Sequence, residues 1–176
     1  PSDPENMSKI SLYGGSIETH GDIAYGVISA GGKSTLSTYG SLDIYTWGSG
    51  SHGAVATWGG VLDINDTSIV TDGENAAGLY VYDNRDAPVS VTGGTIQSNK
   101  SAGILLQNNA NISLTGTTVV SAGASLVSRF TASDQTQTIT IGKGSVLTEN
   151  NGRLLVVERE GEGADGKVTL MLEAGS

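Results

Sequence analysis

One design recurs along this chain: an apolar-x-apolar strand, a glycine corner, a second short strand, another corner, and a small residue before a third strand. It reads I-S-L-Y-G-G-S-I-E-T-H-G-D-I-A-Y-G-V-I-S from Ile10 to Ser29 and V-S-V-T-G-G-T-I-Q-S-N-K-S-A-G-I-L-L from Val89 to Leu106. Further copies begin at Thr35, Val61, Ile112 and Ile139, and a last strand, V-T-L-M-L, begins at Val168. Self-similarity of this kind fixes the architecture before any single residue does, because each unit buries its apolar stripe only against its neighbours.

Taking one apolar residue of the second strand as marker, Ile17, Leu42, Ile69, Ile96, Val119 and Val146 fall at intervals of 25, 27, 27, 23 and 27. The glycine before the third strand recurs at Gly26, Gly53, Gly78 and Gly103. Constant strand chemistry at a variable period places the variation in loops. Leucine-rich repeats have similar length but need a leucine consensus that is missing, and propeller blades need about 40 residues. Three short strands per repeat without a helical stretch predict an all-β, three-sided parallel β-helix of about seven rungs, the last incomplete. At about 4.8 Å per rung it is a rod of roughly 30–35 Å. Alternation in I-x-L and V-x-V sends one stripe inward, glycines supply positive φ at corners, and Ala24, Ala77 and Ala102 let the chain turn beneath the next rung. The marker residues are expected in one interior column. Without a capping helix the ends invite edge pairing, so an excerpt of a longer rod is expected.

Composition agrees with a folded, turn-rich chain. There are 26 Gly, only 3 Pro, no Cys, and 37% apolar against 15% charged residues, which fits neither collagen nor disorder. A net charge of -9 repels a phosphate backbone, so no nucleic-acid partner is expected. No apolar run approaches a membrane helix, and no signal-peptide core is seen. Residues 1–9 read as a disordered linker or expression remnant, and residues 10–176 as one domain. Absence of Cys suits both a cytosolic protein and one threaded unfolded across an envelope.

Three stretches carry a resemblance: Val91 to Ile104, Ile112 to Ser121, and Ile139 to Leu147 with Lys167 to Gly175. In order and register they resemble rungs of the passenger domain of pertactin-like autotransporters of Gram-negative bacteria. The resemblance covers most of residues 10–175. It implies a right-handed β-helix and a parent protein with a Sec signal, an autochaperone segment and a C-terminal membrane barrel, through which alone the chain would meet a membrane. It implies a bacterial cell-surface or secreted location and a role in adhesion or virulence. The integrin-type Arg-Gly-Asp motif of pertactin has no counterpart, since Asn84-Arg85-Asp86 lacks the glycine.

Enzymatic chemistry finds little footing, and no catalytic, metal or cofactor residue is assigned. Asp63, Asp66, Asp72, Glu74, Asp83 and Asp86 form the densest acidic region, and all are read as turn residues. No Lys or Arg falls between Lys33 and Arg85, so a lyase arrangement lacks its base. The repeating glycine-aspartate signature of calcium β-rolls is missing. His20 and His52 read as exposed turn residues, close together on one edge of adjacent rungs. Neither nucleophile motif, G-x-S-x-G or G-D-S-G, occurs.

The aromatic residues are the asymmetry. All eight Tyr and Trp precede position 83, and the remainder has only Phe130. Alternation in L-D-I-Y-T-W turns Leu42 and Ile44 inward and Asp43, Tyr45 and Trp47 outward. Tyr45, Trp47, Trp58 and Asp43 are therefore the candidate ligand contacts, against the alternative that the rings only stack between rungs. With the resemblance, these residues imply a non-enzymatic surface rod, with a host-cell surface protein or glycan as the expected partner and self-association as a further route. Alternatives are a carbohydrate-active or carbohydrate-binding β-helix of the lyase or tailspike kind, and a pure structural spacer.

Overall fold

The computed structural model describes residues 8–32, 34–150 and 152–175. Among these there are fifteen strands and no helix. In chain order they are β1 (Lys9–Thr19), β2 (Val27–Ala30), β3 (Thr35–Thr46), β4 (Ala54–Thr57), β5 (Val61–Asn65), β6 (Ser68–Thr71), β7 (Leu79–Thr92) and β8 (Thr95–Ser98). There follow β9 (Ile104–Thr115), β10 (Thr118–Ser121), β11 (Leu126–Phe130), β12 (Gln135–Ile141), β13 (Val146–Glu149), β14 (Leu155–Arg159) and β15 (Gly166–Leu172). The linker expected over residues 1–9 lies outside the described residues as far as position 7. Lys9 already pairs with Thr35 in β1.

Every strand pair is parallel, and the pairs sort into three stacks. The first face runs through the start of β1, the start of β3, β5, the end of β7, the end of β9, β12 and β15. The second runs through the end of β1, the end of β3, β6, β8, β10 and β13. The third runs through β2, β4, the start of β7, the start of β9, β11 and β14. The chain thus makes six complete turns of a three-sided parallel β-helix, and β15 opens a seventh.

The interior is a set of apolar columns. Leu36, Leu62, Val89, Ile112 and Ile139 line the first face, and Ala54, Leu79, Ile104 and Leu126 the third. On the second face the register corrects the expected column. Ile17 pairs with Ile44, not Leu42, and Val119 pairs with Leu147, not Val146. The column is Ile17, Ile44, Ile69, Ile96, Val119 and Leu147. Leu42 is buried two residues earlier, opposite Gly15, while Val146 faces solvent at 51% exposure. Between the paired positions Leu114/Ile141 and Thr118/Val146 the corner before β10 holds three residues, 115–117, and the corner before β13 holds four, 142–145; the one extra residue moves the strand by one position. A one-residue step exchanges inside for outside. Leu147→Asp is therefore expected to lower the melting temperature clearly more than Val146→Asp in paired thermal scans; the reverse order would contradict this register.

The glycines divide by physical role. At the first corner Gly93 and Gly94 have φ of 67°, a conformation that side chains resist. Gly26, Gly53, Gly78 and Gly103 have ordinary φ, contrary to the expectation for all corner glycines. They are needed for space: a Cβ on Gly53 would lie 2.2 Å from Cγ2 of Ile69 and 2.8 Å from the Gly78 carbonyl oxygen.

Candidate functional site

The second corner of the first three turns has one construction. The segments T-H-G-D-I-A-Y-G (19–26), T-W-G-S-G-S-H-G (46–53) and T-D-G-E-N-A-A-G (71–78) share the pattern T-x-G-x-x-x-x-G. The hydroxyl of Thr19 donates to the carbonyl of Ala24 at 2.6 Å, and that of Thr71 to Ala76 at 2.7 Å; Thr46 does the same to Ser51. Each bond closes its corner from within, and Thr46 and Thr71 are fully buried. The corners also bond to one another. Asp22 Oδ1 accepts from Ser49 N–H at 2.8 Å, Ser51 Oγ donates to Gly21 O at 2.8 Å, and Gly50 N–H donates to Glu74 O at 2.8 Å. The first glycines of the pattern let backbone stack directly on backbone. In later turns this corner shortens to 99–103 and 122–125, so the three long corners stand as a ridge.

Two positions of the pattern carry the rings. The residue after the threonine gives His20 and Trp47, stacked at 4.5 Å between centroids and nearly parallel at 3°. Tyr45, two residues back on β3, stacks on Trp47 at 5.9 Å. This group lies on the second-face flank, where Trp47 remains 38% exposed and Asp43 sits two positions before Tyr45 on the same outward side. The residue before the last glycine gives Tyr25 and His52, stacked at 5.6 Å on the third-face flank. There His52 meets Tyr80 at 4.5 Å, Tyr80 stacks on Tyr82 at 6.2 Å, and Trp58 stands edge-on to Tyr82 at 6.1 Å. Tyr13 and Tyr39 form a separate stack on the first face.

The structure therefore brings Asp43, Tyr45 and Trp47 together and adds His20 to them. It does not bring Trp58 there. That residue follows β4 at the third corner, 63% exposed, with a φ of 49° that is uncommon for a bulky side chain. The expected pairing of the two histidines is also corrected. They occupy different columns, and His52 is buried at 8% exposure rather than open to solvent, because Tyr25 and Tyr80 from adjacent turns cover it. Of the acidic residues, Asp63 is on β5 rather than in a turn, where its carboxylate accepts from Ser90 Oγ at 2.8 Å. Asp72 lies at the ridge and accepts from Asn99 at 2.7 Å.

Burial shapes the titration of the third-face rings. It lowers His52 from 6.5 to about 4, and it raises Tyr80 to about 12, with the neighbouring phenols of Tyr82 and Tyr25 adding to the effect. Tyr82 is raised by its hydrogen bond to Asp83. Tyr80 also donates to Gln107 at 2.9 Å. Beyond the ridge a recess of about 230 Å³ has an apolar floor of Leu105, Val127 and Val156, with Arg153 and Glu158 at its rim. Arg129 also lines it and is held by Glu158 at 3.0 Å and Glu160 at 3.1 Å. No group of three or more potential metal-ligating side chains occurs among the described residues.

Comparison with protein-family models, with curated proteins and with solved structures gives no match to this chain. Composition alone did not point to His20 and His52 as parts of ring stacks. The T-x-G-x-x-x-x-G pattern, aligned at its threonine, is the signal that places His20 beside Trp47 and Tyr25 beside His52.

Proposed function

We propose that this chain is a non-enzymatic rod of the autotransporter-passenger kind, displayed at a bacterial cell surface, whose second-face flank contacts a host-cell protein or glycan. The observation that carries the reading is the His20–Trp47–Tyr45 stack: three rings ordered against one another on the outer flank of a rigid ridge, with Trp47 still partly open. Preordered rings lose little torsional freedom on contact, which is why such residues dominate binding energy. Asp43 beside them supplies an acceptor for a sugar hydroxyl or a basic side chain. The resemblance of residues 91–104, 112–121, and 139–147 with 167–175 to pertactin-like rungs is what supports the parent architecture, in which a C-terminal barrel would supply location and membrane attachment.

The test uses the purified chain on arrays of glycans and matrix proteins, with Tyr45→Ser/Trp47→Ser as the paired variant. Loss of at least about tenfold in binding, with unchanged melting, is the expected result, since two ring contacts together exceed that factor. Unchanged binding, or loss explained by a lowered melting temperature, makes the stack a stiffener between rungs. A second reading, a carbohydrate-binding β-helix of the tailspike kind, draws on the recess over Leu105, Val127 and Val156. Glycan binding that survives the paired variant but is lost in Leu105→Glu favours it.

A further inference from the structure

On the third-face flank one ring is ionisable, buried and bonded to the backbone of the next turn. His52 lies between Tyr25 and Tyr80, and its Nδ1 accepts from Ala77 N–H at 2.9 Å. Only an unprotonated nitrogen accepts, so the ring is the neutral tautomer with its proton on Nε2. Ala77 is itself 1% exposed, so its amide has no water to turn to if this acceptor is lost. Tyr80, against which His52 packs, is the register partner of Val55 on β4, and Val55 is 3% exposed although alternation places it outward between Ala54 and Ala56. The rings form a second apolar layer outside the tube.

We propose that His52 is an acid-sensitive latch for this outer layer: protonation expels the imidazole, frees the corner at residues 72–78 and uncovers Val55, while the interior of the solenoid stays folded. Protonation turns the Nδ1 acceptor into a donor facing another donor, Ala77 N–H, and places a charge among phenols. The groups facing the ring offer no compensating anion. The preceding corner contributes Asp22 and Tyr25; Asp22 is occupied by Ser49 N–H. The following corner contributes Asp72 and Glu74, and Asp72 is engaged by Asn99. β7 contributes Tyr80, Tyr82 and Asp83, with Asp83 bonded to Tyr82. Among the described residues no carboxylate forms an ion pair with His52. Burial lowers His52 to about 4, outweighing a hydrogen bond with the Ala77 backbone that pulls the ring's pKa upward.

The sign follows from linkage. Between pH 6.5 and about 4 the open state binds the proton and the closed state does not, so closure is complete above 6.5 and weakens as pH falls through that window. The opening is local because the interior columns Ile69, Leu79 and Val81 are fully buried on the other side of the strands.

The experiment follows the intact chain by NMR and circular dichroism from pH 7 to 4. Two histidines make the imidazole signals assignable. Expected are an unprotonated Nδ1 on His52 at pH 7, loss of the tyrosine near-UV signal on acidification, and about a hundredfold fall in protection of the Ala77 amide, with the far-UV signal unchanged. His52→Gln keeps an acceptor and His52→Phe keeps a ring; neither takes up a proton, and both should abolish the acid transition. A proton on Nδ1 at pH 7, simultaneous loss of near- and far-UV signals, or persistence of the transition in a folded variant overturns the proposal. Should neither variant fold, the tautomer and the order of the two signals in the parent chain decide alone.

Discussion

Ile96→Asp is expected to lower the stability of the rod by at least about 4 kcal/mol and to split its unfolding into two steps. Ile96 is 1% exposed and sits between Ile69 and Val119 in the second-face column, so a carboxylate there has apolar carbon on both sides. It also packs over Gly78 so closely that a Cβ on that glycine would lie 2.3 Å from Cγ2 of Ile96. Neither water nor a donor has room to enter. In a solenoid each turn touches only its neighbours, so a lesion in mid-rod uncouples the two halves instead of weakening all turns equally. Trp47 and Trp58 both report on the first half, whereas far-UV circular dichroism reports on the whole. In urea titrations the two signals should coincide for the parent and separate for the variant. A variant that melts within a few degrees of the parent, with coincident signals, would show that Ile96 is not inside.

Gly48→Ala is expected to cost about 3 kcal/mol, at the upper end for overpacking, while Gly21→Ala at the same corner position of the preceding turn is near neutral or slightly stabilising. Neither glycine has positive φ, so conformational freedom does not separate them. Space does. A Cβ on Gly48 would lie 1.9 Å from the Gly21 carbonyl oxygen and 2.7 Å from the Asp22 nitrogen, and the Gly21 carbonyl is itself held in the ridge by the Ser51 hydroxyl. On Gly21 the nearest atom is the Ala24 Cβ at 3.7 Å, an ordinary contact. Removing glycine normally helps by restricting the unfolded chain, so opposite signs at equivalent positions isolate the stacking of corners as the cause. Equal melting temperatures for the two variants in calorimetry would contradict backbone-on-backbone packing at Gly48.

Much of this fold is legible in the residues, for a definite reason. Strands of four residues with one inward stripe leave few registers open, and Ile69, Ile96 and Val119 fall where their spacing predicts. The misplacements of Leu42 and Val146 share a cause. L-D-I and V-L each offer two apolar residues for one column, and only corner length decides between them. Tyr45 and Asp43 face outward as alternation requires. The burial of His52 was not legible locally, because its cover comes from Tyr25 and Tyr80, more than twenty-five residues away in either direction. A single strand's pattern distinguishes inside from outside the tube; it does not report a second layer laid over the outside.

The coil of parallel strands also sets how the molecule responds to a pull along its axis. Each turn advances the rod by only about 4.8 Å, yet its roughly 26 residues span about 90 Å when drawn out straight. A tether built this way is a spool. Loaded from one end it meets the bonds of a single rung at a time, and each rung that yields pays out many times its own height as slack. The tension on the remaining rungs then drops before the next is engaged. Six turns together hold on the order of 500 Å of such reserve, so a short stack of rungs yields stepwise over a distance far greater than its own height.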